Sequence, residues 1–364
     1  MTDAIDGNAI VYCEGAFNTP NGKTAHGLIR FTRRYRVLAV VDSRFDGRDA
    51  GEVLDGRRNG ITIYTGIDEA AKGLSKTGTP AAYLVVGLAP DGGRFGFAAL
   101  EDMKHALEIG LNIDSGLHDF LTDDPEMTAL AEAHGVAIRD VRKPPPRNEL
   151  HFFSGKIEEV SSFKVAVLGT DSAVGKRTTA WLILQALEER GERVELVGTG
   201  QTAWLQGAQY SIMLDSLIND FVSGEIEHAV WSAWHERKPS VIVIEGQGSL
   251  MNPAYPGGFE ILAAGRPDVV VLQHAPARRD YDGFPGYRIQ PLEHQIRAIE
   301  VISGKPVVAI AVNHENIDTG DIDAVCGSIT KEIGLPAFDV LVHGAEALTD
   351  HLVSTMQKHR RDGG

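Results

Sequence analysis

Residues suited to phosphate binding are concentrated between Val165 and Thr179. An apolar, β-branched run leads there into Gly-Thr-Asp-Ser-Ala-Val-Gly-Lys (residues 169–176) and then into a helical pattern. A strand, a glycine-containing turn and a helix start aim several backbone N–H groups and the helix dipole at one point, which suits a phosphate, and Lys176 adds a mobile positive charge. We therefore predict that a phosphate-bearing cofactor binds to one continuous segment: Thr170, Asp171, Ser172, Ala173, Val174, Gly175, Lys176, Arg177 and Thr178.

The residue after Lys176 departs from the pattern of ATP-hydrolysing P-loops. Those loops keep a Ser or Thr there to bind magnesium, whereas this chain has Arg177. Their usual spacing also requires a glycine at the position of Thr170, because Gly169 lies one residue too early. Thr178 would reach a magnesium ion only with a shifted helix start. The sequence therefore predicts a phosphate site without a metal.

A second segment ends an apolar strand in an acid and two glycines, Glu245-Gly-Gln-Gly248. If that strand lies beside the phosphate loop, the carboxylate of Glu245 is placed to hold a metal or accept a proton. The alternative is that Glu245 caps a neighbouring helix or pairs with Lys176. The glycines permit a close approach of the backbone to a ligand. We take Glu245 as a candidate catalytic residue and Gln247 as a candidate substrate contact.

Three more predicted loops contribute candidates. After a further strand, Asn313 or Asn316 could pair with an adenine edge, although a plain turn is an equal alternative for Asn. Gln201 lies near two glycines and Trp204, which suggests that this loop forms one wall of a ligand site. The alternative is that Trp204 packs in a core. His274 is a candidate general base or orienting residue. Nearby arginines, each also compatible with a solvated surface position, are candidates for binding substrate carboxylates: Arg278, Arg279 and Arg288.

These candidates need a scaffold that brings loop residues together, and the order of apolar segments predicts one. Both halves of the chain alternate strand patterns with helix patterns, which is typical of an α/β protein with mostly parallel sheets. A stiff, proline-rich connector at residues 142–147 separates the halves. We predict a Rossmann-like domain at residues 1–146 and a P-loop-type, doubly wound domain at residues 147–364.

In the predicted second domain, the phosphate segment and the other candidate loops all follow strands. Strands are predicted near residues 164–168, 193–197, 240–245, 268–273 and 306–312, and helices over residues 178–190, 214–235, 291–303 and 322–333. Ligands bind beyond the carboxyl ends of the strands in such sheets, so these loops are expected to converge.

The predicted first domain has strand patterns near residues 9–12, 36–41, 61–64, 81–88, 111–113 and 136–141, and helical patterns at 96–109 and 125–134. Asp42 ends the second strand, where dinucleotide-binding folds contact ribose. The turn after the first strand lacks the Gly-x-Gly-x-x-Gly that seats a pyrophosphate, so we expect no NAD binding. Residues 23–27 are interpreted as a loop at the substrate or at an interface, with a simple link as the alternative.

Composition limits the partners of the protein. Lys and Arg number 35 against 50 Asp and Glu, which gives a formal net charge of −15 and disfavours nucleic acid. No apolar run approaches the roughly 20 residues that span a bilayer, and the acidic N-terminus lacks the features of a signal peptide. We expect a cytoplasmic protein without a membrane partner, and a homo-oligomer because doubly wound domains often associate.

The phosphate segment resembles the loops of dethiobiotin synthetase and its MinD-like relatives, which read Gly-Thr-Asp-Thr-x-Val-Gly-Lys-Thr. Over its whole length, the chain resembles the D-glutamate N-acetyltransferases, with matches at residues 169–178, 198–202, 244–249 and 312–316. Arg177 belongs to the pattern of that family rather than to the synthetases. The resemblance implies a Rossmann-like domain, a P-loop domain and the use of acetyl-coenzyme A to acetylate D-glutamate during D-glutamate breakdown.

The residues are compatible with what the resemblance implies. Coenzyme A must be bound rather than hydrolysed, so a loop without the magnesium hydroxyl suits its phosphates. Glu245 or His274 is a candidate acceptor for the proton of the substrate ammonium, and the N–H groups of residues 246–248 are candidate oxyanion donors. The two carboxylates of D-glutamate would pair with the arginines at 278, 279 and 288.

Two other functions fit the same residues. An ATP- and magnesium-dependent kinase or ligase would use Lys176 on phosphate and Glu245 on magnesium, and Arg177 argues against it. A nucleotide-sensing protein without catalysis would use the loop for binding alone.

Overall fold

The computed structural model describes residues 5–362, and the chain divides into two compact units. The first unit ends at Pro144 but also contains Gln201–Gly207, and the second begins at Pro145 and omits that segment. The strands are β1 Gly7–Tyr12, β2 Tyr35–Val41, β3 Thr62–Tyr64, β4 Tyr83–Val86, β5 Asn112–Ser115, β6 Ile138–Asp140, β7 Phe163–Gly169, β8 Val194–Gly198, β9 Tyr210–Ser211, β10 Val241–Glu245, β11 Val269–His274, β12 Val307–Val312 and β13 Ala337–Phe338. The helices are α1 Lys23–Arg30, α2 Ala50–Asp55, α3 Ile67–Lys76, α4 Phe97–Glu108, α5 Pro125–His134, α6 Lys176–Glu189, α7 Gln201–Leu205, α8 Asn219–Arg237, α9 Leu292–Ser303, α10 Ile322–Ile333 and α11 Glu346–Asp362.

The first unit contains a six-stranded parallel sheet in the order β3-β2-β1-β4-β5-β6. This is the Rossmann order, which confirms the predicted fold class. Helices α3, α4 and α5 contribute to one hydrophobic core, and α1 and α2 contribute to the other. The predicted loop at residues 23–27 is wrong because those residues begin α1, whose Ala25, Leu28 and Ile29 form one buried helical face.

Helix α7 belongs to the first unit although the surrounding chain belongs to the second. Leu205 is fully buried in the core that contains Val11 and Val85. The guanidinium of Arg34 donates from Nε to the carbonyl of Trp204 over 2.8 Å and lies 3.8 Å from the centre of the indole ring. A segment that the sequence assigned to the second domain therefore completes the packing of the first.

The second unit contains a seven-stranded parallel sheet in the order β13-β12-β11-β7-β10-β8-β9. Every residue of β7 is buried, since the strand lies between β10 and β11. Glu245 pairs in register with Val167, and Gln273 pairs with Gly169. The ends of these strands and the loops that follow them are consequently brought together, as the sequence predicts.

Two helix starts in the second unit differ from the predictions. Helix α6 begins at Lys176 rather than Thr178, because Gly175 (φ 104°) turns the chain directly into the helix. Helix α8 begins at Asn219 rather than Leu214, because a short 3-10 turn at Leu214–Ser216 precedes it and Ile218 is extended. No helix within residues 5–362 combines the length and apolar character needed to cross a bilayer.

Candidate functional site

The loop after β7 has the backbone geometry that a phosphate cradle requires. Ala173 and Gly175 have φ values of 52° and 104°, so the chain twice enters the left-handed region before α6 begins. Such turns direct successive N–H groups toward one concave surface. Gly175 is the N-cap of α6 and has no side chain to cap it, which leaves the first turn of the helix to an anion.

Lys176 folds back across the loop that precedes it. Its buried Nζ donates to the carbonyl oxygens of Asp171 and Gly248, each at 2.7 Å. A Cβ on Gly169 would lie 2.8 Å from Lys176 Cδ, so this path of the side chain requires a glycine there. Burial lowers the pKa of Lys176 to about 8, against the opposing charges of Glu245 and Asp171. A phosphate near Nζ would restore a full positive charge.

Arg177 and Thr178, both half-buried, are the second and third residues of α6. Successive residues of a helix are turned by about 100°. Arg177 therefore occupies the position where ATP-hydrolysing loops carry the magnesium hydroxyl, and Thr178 points elsewhere. Burial raises the pKa of Glu245, and the charge of Arg177 is the strongest effect that opposes this rise. The guanidinium of Arg177 is thus close enough to the carboxylate of Glu245 to oppose the rise in its pKa.

Glu245 ends β10 beside the phosphate loop. Its side chain is only 7% exposed, and Oε2 accepts a hydrogen bond of 3.1 Å from the N–H of Thr199. Burial raises its pKa, while Arg177, the Thr199 N–H and Lys176 act in the opposite direction. A carboxylate with a raised pKa is a better proton acceptor for a substrate ammonium than an exposed one.

The side chain of Asp171 anchors the phosphate loop from within. The carboxylate is fully buried, and Oδ1 accepts hydrogen bonds from the N–H of Ser172 at 2.7 Å and from Asn252 Nδ2 at 2.8 Å. Oδ2 accepts from Arg278 Nη1 at 2.9 Å and from the N–H of Asp282 at 2.8 Å. The predicted ligand residue Asp171 thus contributes its carboxylate to the scaffold, and the hydroxyl oxygen of Ser172 accepts a hydrogen bond of 3.4 Å from Asn252 Nδ2.

The three arginines predicted to bind carboxylates differ in their surroundings. Arg278 donates to Asp171, to the carbonyl of Ser172 at 2.8 Å and to Glu315, so its guanidinium already faces two carboxylates of the protein. Arg288 is exposed and lies 3.2 Å from Asp280, and Arg279 is exposed. Arg278 therefore stabilises the loop of Asp171 in the described structure.

His274 ends β11 and contacts the first residue of the phosphate loop. Its Nδ1 lies 3.0 Å from the hydroxyl of Thr170, whose N–H donates to the carbonyl of Gln273 over 2.9 Å. Burial lowers the pKa of His274 to about 4, so the imidazole is neutral at physiological pH. A base this weak is poorly matched to an ammonium proton, and the contact with Thr170 is compatible with the orienting role that the sequence suggests.

Asn313 and Gln201 lie in different units. Asn313 Nδ2 donates to the carbonyl of Val174 at 2.8 Å, and Asn313 Oδ1 accepts from the N–H of Glu315 at 2.9 Å, so the amide supports the phosphate loop. Gln201 begins α7 in the first unit, where a Cβ on Gly116 would lie 2.6 Å from Gln201 Cγ.

Among the predicted oxyanion donors, Gly246 uses its N–H on the carbonyl of Val167 at 2.9 Å. This bond leaves the N–H groups of Gln247 and Gly248 as donors in the described structure. Gly248 has a φ of 56°, and a Cβ there would lie 2.0 Å from the carbonyl oxygen of Tyr255. A glycine is therefore required at this position.

A cavity of about 210 Å³ opens beside the phosphate loop, and most of its lining was not predicted. The lining includes Gly169 and Gln247, and it also includes residues of α9 and Gln290, which precedes that helix. On α9, His294 and Ala298 are four residues apart, so they share one face of the helix. The adjacent polar residues His294 and Gln295 within the predicted helix at residues 291–303 were the available sequence signal.

Within residues 5–362, the structure brings together no group of three or more His, Cys, Asp or Glu side chains arranged to hold a metal ion.

Comparison with known proteins identifies similar sequences for both units. The family described as "Domain of unknown function (DUF1611_C) P-loop domain" matches residues 151–349, and the family described as "Domain of unknown function (DUF1611_N) Rossmann-like domain" matches residues 43–144. The first match alone spans more than half of the chain.

Two curated relatives carry the name D-glutamate N-acetyltransferase. The protein from Tritonibacter scottomollicae is 32% identical over 82% of this chain and 87% of its own length, and the protein from a Pseudoalteromonas species is 31% identical over 81% and 88%. A crystal structure of a DUF1611 family protein from Anabaena variabilis is 29% identical, with a TM-score of 0.87 over 96% of this chain and 100% of that chain.

Proposed function

The chain belongs to the DUF1611 family, and from that membership we propose that it is an N-acetyltransferase that moves the acetyl group of acetyl-coenzyme A to the amino group of D-glutamate. The names of the two curated relatives support the reaction and the acceptor. The observation that carries the proposal is the pairing of a phosphate loop whose magnesium position holds Arg177 with the buried carboxylate of Glu245.

The donor is assigned to the loop between β7 and α6. Coenzyme A presents phosphates on its nucleotide, and these need binding without hydrolysis. The backbone N–H groups of the loop, Lys176 and Arg177 supply donors and positive charge for that purpose. The protein carries a net charge of −15, so this local cluster of cations works against the overall field.

The acetyl transfer is assigned to Glu245 and the neighbouring backbone. The ammonium of D-glutamate first loses a proton to the carboxylate of Glu245, whose raised pKa suits this role. The amine nitrogen then attacks the thioester carbon, and the N–H groups of Gln247 and Gly248 stabilise the resulting oxyanion. The C–S bond breaks as the intermediate collapses. The nitrogen loses two protons over the whole reaction. One of them goes to the departing thiolate, and the other goes to solvent.

Release of free thiol from acetyl-coenzyme A tests the proposal. The wild-type protein is expected to release thiol when D-glutamate is added, and Lys176→Ala is expected to lose most of that activity. Magnesium-ATP turnover without affinity for the thioester would overturn the proposal in favour of a kinase or ligase. Full activity in both Lys176→Ala and Glu245→Ala would show that the transfer occurs at another site.

A further inference from the structure

The cavity beside the phosphate loop has a lining of neutral residues. Its walls include Leu168, Leu250, Ala298 and Ile299, and none of its lining residues is an Asp, Glu, Lys or Arg. His294 is the lining side chain that can carry a charge. An amino acid with two carboxylates needs cations to compensate for the loss of water, so this cavity does not match D-glutamate.

A buried hydroxyl in the same cavity lacks a partner. Ser249 lines the cavity and is 3% exposed, and its Oγ makes no hydrogen bond to any residue in the range 5–362. Buried hydroxyl groups are nearly always paired, so an orphaned one in a cavity wall indicates that a ligand supplies the missing partner. The side-chain amide of Gln247 in the same lining adds a further donor and acceptor.

The cavity borders the start of the phosphate loop. Gly169 is both the last residue of β7 and a lining residue, and Gly248, also in the lining, accepts a hydrogen bond from Lys176 at 2.7 Å. A ligand with its phosphates on the loop would therefore extend a neutral portion past Gly169 into the cavity. That portion must combine apolar segments with amide or hydroxyl groups.

We propose that this cavity binds the acyl-pantetheine arm of the thioester donor, an inference that rests on the proposed function. The arm carries no charge and alternates methylene and methyl groups with amides and a hydroxyl. Its apolar parts would contact Leu250, Ala298 and Ile299, and its amides would pair with Ser249 and Gln247. The acceptor amino acid must then bind outside this cavity.

Filling the cavity tests the proposal through binding alone. Ala298→Leu adds bulk to the cavity wall, and Val301→Leu, at a position on the same helix that is 76% exposed, is the matched control. By calorimetry, Ala298→Leu is expected to weaken the binding of coenzyme A on the order of ten-fold, because an overpacked wall leaves less room for the arm. It is expected to leave adenosine 3′,5′-bisphosphate, which lacks the arm, unchanged. Val301→Leu is expected to change neither.

Ser249→Ala is a second variant that removes a hydroxyl without adding bulk. It is expected to weaken coenzyme A to a smaller extent, again without affecting the bisphosphate. Unchanged binding of coenzyme A in both cavity variants, or equal loss of both ligands, would overturn the proposal. So would a rise in the KM for D-glutamate with no change for the donor.

The same measurements separate this proposal from the proposed function. If the variants lose affinity for coenzyme A while the wild-type protein transfers no acetyl group to D-glutamate, the cavity is confirmed and the acceptor is wrong. If transfer is observed and neither variant affects the donor, the function holds and the cavity assignment is overturned.

Discussion

The two units build the same kind of parallel sheet but treat their buried carboxylates differently. In the first unit, Asp42 accepts hydrogen bonds from Arg44 and from the N–H of Phe17. In the second, Glu245 accepts from the N–H of Thr199, and its neighbour Lys176 donates to backbone carbonyl oxygens. Asp42 is thus paired with an opposite charge, whereas the hydrogen bonds of Glu245 and Lys176 are to the neutral backbone.

The pKa directions follow from this difference. Burial raises the pKa of Asp42, but the bonds from Arg44 and from backbone N–H groups outweigh burial and lower it overall. For Glu245, burial outweighs the effects of Arg177 and Lys176, and the pKa is raised. A carboxylate that is already stabilised as an anion has little tendency to take up a proton, whereas Glu245 retains that capacity. We therefore expect proton transfer at Glu245 rather than at Asp42.

The comparison is tested most strongly by Glu245→Gln. Removal of the proton acceptor is expected to lower kcat for acetyl transfer on the order of 10²–10⁴-fold, with coenzyme A binding unchanged. Thiol release and calorimetry measure the two effects. Glu227→Gln is the control, because Glu227 is also buried but accepts from the backbone and hydroxyl of Ser154, and its loss should affect stability alone. A kcat near the wild-type value in Glu245→Gln would show that Glu245 does not accept the proton.

In the first unit, the substitution that corresponds to Glu245→Gln is Asp114→Asn, which also removes the charge of a buried carboxylate. Asp114 is fully buried and accepts hydrogen bonds from Arg139 and from the hydroxyl of Tyr35. Loss of its charge is expected to reduce the free energy of unfolding by about 1–3 kcal/mol. Urea denaturation measures this loss, and acetyl transfer by the folded protein should be unaffected. An undiminished stability, or a specific loss of kcat, would contradict the assignment of this carboxylate to structure.

The pH dependence of donor binding tests the state of Lys176. Its pKa of about 8 means that it is charged below pH 8 and neutral above. The affinity for coenzyme A is expected to be constant at lower pH and to fall by about ten-fold per unit above pH 8, because phosphate favours the protonated amine. Calorimetry between pH 7 and pH 10 measures this slope. The same slope in Lys176→Ala would assign the titration to another group.

The smallest expected effect concerns backbone strain. Within residues 5–362, all four non-glycine residues with positive φ, including Ala173, lie in the second unit. Ala173→Gly relieves a left-handed conformation that costs about 1–2 kcal/mol but adds unfolded-state entropy worth about 0.4–1 kcal/mol. A gain in stability of between about 0 and about 1.6 kcal/mol is therefore expected in urea denaturation. Ala180→Gly, inside α6, should instead destabilise the protein. If Ala173→Gly instead destabilised the protein, Ala173 would not be a site of backbone strain.

Much of the fold follows from local pattern in the sequence. Residues 165–168 of β7 and residues 241–244 of β10 are buried on both faces of the sheet, so each segment appears as an unbroken apolar run. The two-residue strands β9 and β13 leave no such run, and they were not predicted. Helix α7 was not assigned to the first unit, because Leu205 packs against Val11, which is remote in sequence.

The candidate site is predicted in position but less well in detail. Sequence order places Asp171, Arg278 and Asn313 at the ends of neighbouring strands. It does not distinguish a side chain that awaits a ligand from one that bonds to its neighbours, as these three do. The pKa of Lys176 and the unpaired hydroxyl of Ser249 depend on burial in three dimensions, which residue spacing does not encode.

Because Gln201–Gly207 belongs to the first unit, the positions at which this gene can recombine are restricted. The chain passes from one unit to the other and back, so a cut in the proline-rich connector would deprive the first unit of Leu205 and Trp204. Exchange of either half with an unrelated domain would therefore expose a hydrophobic core. Recombination between relatives would be tolerated best where residues up to Pro144 and residues 201–207 come from the same parent.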